Sequence, residues 1–429
     1  MPSTLQASRN PWFWVPSIFF TQGLPYTIAT IVSVVMYKRL GISNADITLY
    51  TGWLFLPWGL RALWSPIIEY FHTKRFWITW MELALGAAMA LVAFSIPVPY
   101  FFQLSLAFFF LVGFSSSLHD MSVDSFYMLS LSMKEQAYFA GFRNVFYRMA
   151  VISAQGLLVV LAGELEQYYG DIPKAWSICM GIVALMFLLA FCWHRVVLPQ
   201  PEVALKHEPI RSLSWEKLLA PFKTYFQKEQ IWLLMTFLLF YRVGESQLMK
   251  MIPPFLLDDP SLGGMGMDTS AVGVNYGTVG LLAMVAGGFL GGQIINRIGL
   301  RKSLWVMFLA MNLPNLPYAI IASAQPDQLA WVNLVIFLEQ FGFGVAFTIY
   351  LMVLIVTVKG TFQTSHFALS TGFMVLGMII PSMLSGWVQE QIGYQWFFLY
   401  AFVCSLPCIW ITYQMSFHPD ILKTGSEST

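Results

Sequence analysis

Ten ionisable side chains fall where an apolar chain should carry none. Arg61, Glu82, Asp120, Asp124, Arg143, Arg148, Arg242, Glu245, Lys250 and Glu339 all lie inside long hydrophobic runs. Burying one of them alone costs several kcal/mol, so each must pair with a partner or line a watery path. Five are cations and five are acids, which predicts ion pairs. Asp120 and Asp124 are four residues apart and share a helix face. Two carboxylates in one dry groove repel, and one then keeps a proton at neutral pH, as a proton carrier must. Asp124 or Glu339 is the expected carrier, with Asp120 paired to an Arg. Glu245 and His119 are further titratable candidates. A structural pair such as Asp124–Arg148 is the alternative. Arg61, Arg148, Arg242 and Lys250 are suited to gripping a carboxylate, because an Arg fork binds two oxygens at once. Arg143 lies near the end of its run and is expected to snorkel.

These residues need helices to carry them. The chain has 429 residues, 57% apolar and only 10% charged. A soluble protein would carry about a quarter charged residues. The net charge of +1 excludes a basic nucleic-acid module. Runs long enough for a helix of about 20 residues to cross a bilayer centre on 12–37, 48–70, 76–97, 100–131, 137–163, 174–198, 230–257, 271–296, 302–323, 329–357, 362–389 and 394–416. The first is too long for a cleaved leader. The expected fold is all-α and integral to the membrane, with twelve transmembrane helices in two pseudo-symmetric six-helix halves. The expected domains are a bundle over 1–198, a cytoplasmic linker over 199–228, a second bundle over 229–417 and a cytoplasmic tail over 418–429. In the linker, Trp215, Leu218, Leu219, Phe222 and Phe226 recur at helical spacing with Lys217, Lys223 and Lys228 off the stripe, which predicts an amphipathic helix. With both termini inside, inner segments hold 15 Lys and Arg, outer segments 3, and the apolar runs 5. That asymmetry predicts cytoplasmic termini in an inner membrane.

The halves repeat weakly. The segment Ser65-Pro66-Ile67-Ile68-Glu69-Tyr70-Phe71-His72-Thr73-Lys74-Arg75 aligns without a gap on the segment 292–302, 227 residues later. Glu69 falls on Asn296, and Lys74-Arg75 on Arg301-Lys302. Gly23 matches Gly244, and His119-Asp120 matches Glu339-Gln340. A duplicated six-helix unit explains this order. A tight inner loop needs a glycine such as Gly299, and its cations can bond carbonyls or acids on a neighbouring helix end. Glu69, Lys74, Arg75, Asn296, Arg297, Gly299, Arg301 and Lys302 are the candidate gating-loop residues. The alternative is a simple anchor and turn. Gly23 with Pro25, and Gly244 before Pro253-Pro254, predict helix interruptions at corresponding places. Gln22, Tyr26, Tyr241 and Gln247 border them, and Gln340 follows Glu339. The cluster Gly287, Gly288, Gly291 and Gly292 predicts close helix packing.

The 292–302 segment resembles the signature loop of the major facilitator superfamily. Within it, the chain is similar to the AmpG muropeptide permease family. The shared stretches are Gly23-Leu24-Pro25, Leu60-Arg61-Ala62-Leu63-Trp64-Ser65-Pro66, His119-Asp120-Met121-Ser122-Val123-Asp124, Tyr147-Arg148, Tyr241-Arg242-Val243-Gly244-Glu245, and Phe337-Leu338-Glu339-Gln340-Phe341 with Phe367-Ala368-Leu369. The chain departs from that family at Arg61, His119 and Arg242. The resemblance implies a proton-driven importer of anhydro-muropeptides, GlcNAc-anhydroMurNAc with or without peptide. The lactyl and peptide carboxylates of such a substrate suit the cations. Its hydroxyls and C–H faces suit the Gln and Tyr side chains.

No Walker loop, dinucleotide fingerprint, metal cluster or nucleophile elbow is present, so no enzyme, cofactor or metal is expected. Cys179, Cys192, Cys404 and Cys408 read as small apolar residues. The expected partners are a small-molecule substrate, protons and the lipid bilayer, with no nucleic acid, and the chain is expected to be a monomer. The competing readings are an importer of a smaller sugar such as MurNAc or a monosaccharide, a non-transporting membrane sensor, and a lipid enzyme or flippase.

Overall fold

The computed structural model describes residues 10–61, 63–64, 68, 71–200, 215–326, 328–359 and 362–426. These are helical almost throughout, as expected where no water can satisfy a bare backbone. Among the described residues, eight helical stretches are long and apolar enough to cross a membrane. The longest, Thr269–Ala324 and Ser365–Met415, cover 56 and 51 residues. Each contains one glycine in the left-handed region, Gly299 at φ 77° and Gly393 at φ 75°, where the helix path breaks.

The chain divides into two compact units. One comprises residues 1–32 and 63–214, the other 33–62 and 215–429. In the first, Trp14, Val15, Ile18 and Phe19 pack with Ile78, Val123, Phe126 and Tyr127 into a buried core. A capping box at Ser132 and Glu135 starts the Met133–Ile152 helix. It fixes the turn that follows Phe101–Ser130, and so the level at which these two helices face each other.

In the second unit the Leu281–Asn312 and Leu329–Thr357 helices lie almost backbone to backbone. A Cβ on Gly287 would strike the Phe341 carbonyl, and one on Gly344 the Met284 carbonyl. Gly292 faces open space instead, so it takes no part in this packing. Gly344→Val is therefore expected to lower stability by about 3 kcal/mol through overpacking. Gly292→Ala should leave the midpoint of thermal unfolding in detergent unchanged.

The expected interruptions fall elsewhere than at the glycines. Val15–Thr27 runs helically through Gly23 and Pro25, and the wide turn comes later, as a π-helical stretch over Ile28–Val32. Gly23 serves packing, since a Cβ there would meet the Tyr147 carbonyl and the Ala150 side chain. In the seventh run the break lies at Tyr241 and Arg242, between Ile231–Phe240 and Val243–Leu257. The helix then continues through Pro253 and Pro254. Wide turns recur at Ser153–Leu158 and Gly273–Gly280.

A helix forms over Trp215–Phe226, and residues off its apolar stripe dock it on the protein. Leu219 and Phe226 are exposed, whereas Tyr225 is fully buried and its hydroxyl meets Ser370 Oγ at 2.9 Å. The neighbouring Thr224 Oγ1 lies 3.1 Å from His366 Nε2. Periodicity found the helix but not the polar residues that dock it.

Candidate functional site

Each unit holds its own constellation. In the first, Asp124 forms a 2.7 Å ion pair with Arg143. The Arg143 guanidinium also lies over the rings of Phe19, at 4.9 Å, and Tyr127, at 5.7 Å. Arg143 therefore pairs rather than snorkels, and it, not Arg148, is the partner of Asp124. The Asp124 side chain is 43% exposed, so the two aspartates do not share a dry groove. Gln22 Nε2 reaches towards both, donating to the Asp120 carbonyl at 3.4 Å and to Asp124 Oδ1 at 3.5 Å. Asp120, Tyr26, Arg148 and Asp124 all act electrostatically on the half-buried Tyr147. The structure thus gathers Gln22, Tyr26, Asp120, Asp124 and Arg148 around Tyr147, which the sequence marks through the Tyr147-Arg148 stretch but not as a candidate binding residue.

His119 stands apart from Asp120, its neighbour in sequence, because adjacent helical residues point about 100° apart. It is fully buried, with Nε2 3.5 Å from Glu82 Oε1.

In the second unit, Arg242 sits at the helix break and binds Glu245 two ways. Its Nη2 lies 2.8 Å and its Nε 2.9 Å from the same oxygen, Oε2. Both side chains are buried, and Phe343 and Phe347 lie against the guanidinium. The break explains the reach: Arg242 caps the Val243–Leu257 helix from outside it, three residues from Glu245.

Glu339 is only 8% exposed. Gln340 Nε2 donates to its Oε2 at 2.8 Å, and Glu339 makes no ion pair among the described residues. Tyr276, Tyr318 and Glu245 lie within its electrostatic reach. Glu245, Arg242, Glu339, Gln340, Tyr276 and Tyr318 therefore form one polar cluster in the second unit.

The other expected binding residues lie apart from it. Lys250 Nζ donates to Thr51 Oγ1 at 3.0 Å and stands 4.8 Å over the Phe55 ring. Arg61 bonds Thr371 Oγ1. Gln247 folds back on its own helix to the Val243 carbonyl, at 3.1 Å. Tyr241 is buried beside Phe237, with its hydroxyl 3.1 Å from Thr412 Oγ1.

The first gating loop bonds carbonyls, as its composition predicts. Lys74 donates to Ile68 and Arg75 to Arg195. Glu69 lies outside the described residues. In the second copy Asn296, Arg297, Gly299, Arg301 and Lys302 are exposed, and Arg301 lies 4.9 Å over the Phe417 ring.

A further network escaped the sequence reading. Asp258 pairs with Lys38 at 2.5 Å and accepts from Tyr394 at 2.5 Å and Asn44 at 3.2 Å. Asn44 also donates to Gln389 at 2.8 Å. Lys38 and Asp258 sit at the ends of apolar runs, where charge is unremarkable, so only the fold reveals the association. Gly386 lets these elements close, because a Cβ there would strike the Asn44 carbonyl.

Buried ion pairs carried on helices long and apolar enough to cross a membrane are the construction of a polytopic helical membrane protein. The chain belongs to the major facilitator superfamily, whose sequence profile matches residues 15–361. It is a secondary transporter of that superfamily. It is 23% identical over 395 residues to the anhydromuropeptide permease of Escherichia coli strain K12, covering 90% of this chain and 76% of that protein. It is 24% identical over 404 residues to putative transporter AmpG 4 of Rickettsia conorii, covering 91% and 92%. Among solved structures, the nucleoside transporter NupG matches with a TM-score of 0.70 at 14% identity, over 94% of this chain and 98% of that one. A bacterial homolog to the human lysosomal transporter Spinster matches with a TM-score of 0.72 at 14% identity, over 98% of both. The last two likenesses bear on the fold alone.

Proposed function

We propose that the protein is a proton-coupled importer of muropeptides or related amino sugars, of the GlcNAc-anhydroMurNAc type, working by alternating access in the inner membrane. The observation that carries this reading is Glu339, a buried carboxylate with a glutamine and tyrosines around it and no ion pair among the described residues. A carboxylate so placed is most easily kept in the membrane as the neutral acid, and it can give up its proton when water reaches it. Its neighbour Glu245 is already neutralised by Arg242, so the cluster holds one exchangeable proton site rather than two. Likeness to an anhydromuropeptide permease over 90% of the chain supports the choice of cargo. Arg61, Arg148, Arg242 and Lys250 are the cations this reading assigns to a lactyl or peptide carboxylate.

In this reading the chain crosses the membrane twelve times, in two six-helix halves joined by residues 199–228, as a monomer with both termini cytoplasmic. The long helical stretches reverse at Gly299 and Gly393, and residues 44–61 and 231–257 supply the remaining two crossings. Residues 33–61 must part from the 243–258 and 363–394 helices when the outer side opens. The Lys38–Asp258–Asn44–Tyr394 network is then the latch of that side. Proteoliposomes holding the purified chain test the proposal. Radiolabelled GlcNAc-anhydroMurNAc should accumulate under an inward proton gradient and exchange by counterflow without one. Absence of both would exclude this cargo.

A further inference from the structure

The first unit holds a second acid that the cluster around Glu339 does not touch. Glu82, His119 and His194 come from three different helices, Lys74–Ser95, Phe101–Ser130 and Ile172–Val197, and each is fully buried. Glu82 Oε1 lies 2.5 Å from His194 Nδ1 and 3.5 Å from His119 Nε2. From the Val15–Thr27 helix, Thr21 Oγ1 lies 3.3 Å from the same oxygen and 3.0 Å from the Ile18 carbonyl, and Ser17 Oγ lies 2.7 Å from His194 Nε2. Among the described residues, the charged or titratable groups facing the Glu82 carboxylate are the two histidines. Other charges on these and the adjoining helices point elsewhere. Arg75 bonds the Arg195 carbonyl, Arg143 pairs with Asp124, and Asp120 and Arg148 act on Tyr147.

A fully buried carboxylate faced by histidines rather than by Lys or Arg must either carry a proton or face one on a neighbour. We take the Ser17 hydroxyl hydrogen to be directed at the Trp14 carbonyl, 3.2 Å away, which can only accept. The Ser17 oxygen is then left to accept from His194 Nε2–H. At the other side of the ring, Nδ1 faces a carboxylate oxygen at 2.5 Å, a short distance typical of charge-assisted bonds. Both ring nitrogens of His194 thus point at acceptors.

We propose that Glu82, His194 and His119 form a proton-binding site in the first unit, with the proton held on His194 as an imidazolium against the Glu82 carboxylate. His119 is the exchange partner. The proton can pass from His194 Nδ1 to Glu82 Oε1 and from that oxygen to His119 Nε2, leaving His194 neutral and His119 charged against the same carboxylate. The trio keeps the same net charge throughout, so the proton can be held within the bundle without leaving a buried charge unpaired. The occupied site stands independently of the cargo; its use in coupling rests on the symport reading above.

Nitrogen NMR of the full chain, labelled with ¹⁵N-histidine in lipid nanodiscs at pH 7.5, tests it. An ordinary imidazole, with a pKa of about 6.5, is about nine-tenths neutral there. Among the six histidines, one ring is expected to be doubly protonated. That signal should vanish in His194→Gln, and Glu82→Gln should convert it to a neutral ring. The unaltered chain decides the matter if a variant fails to fold: six neutral rings, or a carboxylic-acid C=O band from Glu82 in the infrared, would overturn the assignment. A carrier indifferent to the proton gradient would defeat the symport reading and leave this spectrum as expected.

Discussion

Glu339→Gln is expected to leave substrate exchange intact and to abolish accumulation. The amide keeps the size of the side chain and can still meet Gln340. It has no proton to release. A carrier moving one proton with each substrate can build an accumulation of about 100-fold from a gradient of about two pH units, since each unit is worth about 1.4 kcal/mol. The variant should fall to a ratio of about 1 in proteoliposomes while counterflow proceeds. Accumulation undiminished in the variant would remove Glu339 from the coupling step. The same substitution at Asp124 should do less to coupling, because Asp124 is half exposed and already holds Arg143.

Glu245→Gln should have the largest effect on stability. It leaves the Arg242 guanidinium buried against Phe343 and Phe347 without its carboxylate. Removing one partner of a buried pair costs about 3–5 kcal/mol, much of it the stranded charge. The double substitution Arg242→Met with Glu245→Leu removes that stranded charge and should recover most of the loss. Thermal unfolding in detergent of the unaltered chain, Arg242→Met, Glu245→Leu and the double variant measures the coupling directly. Equal losses in Glu245→Gln and in the double variant would show that the pair contributes shape rather than charge. Transport should fail in the double variant if Arg242 grips the substrate carboxylate.

Much of this was legible in the chain because a membrane makes charge expensive. Scarcity alone marked Asp124, Glu245 and Glu339 as residues kept at a cost, and the three-residue spacing of Arg242 and Glu245 is a visible pair once a helix is assumed. What the sequence hid was direction. A periodic helix places Arg143 and Arg148 five residues apart, and only the folded arrangement shows that Arg143 meets Asp124. His194 stands near the end of an apolar run, where a polar residue draws no notice, and its tie to Glu82 spans 112 positions. Gly23 and Gly244 suggested bends, whereas the structure uses them for contact: a Cβ on Gly244 would strike the Ala401 carbonyl. The real discontinuities are the π-helical turns and the Tyr241–Arg242 break, which leave no residue signature of their own.

The central claim is that this transporter couples an amino-sugar cargo to protons. Uptake of radiolabelled GlcNAc-anhydroMurNAc into proteoliposomes, with and without an imposed inward proton gradient and with a protonophore added, tests it most directly. The account predicts accumulation above the outside concentration that the protonophore abolishes, and counterflow that it leaves untouched. Uptake that never exceeds equilibration and ignores the gradient would contradict it.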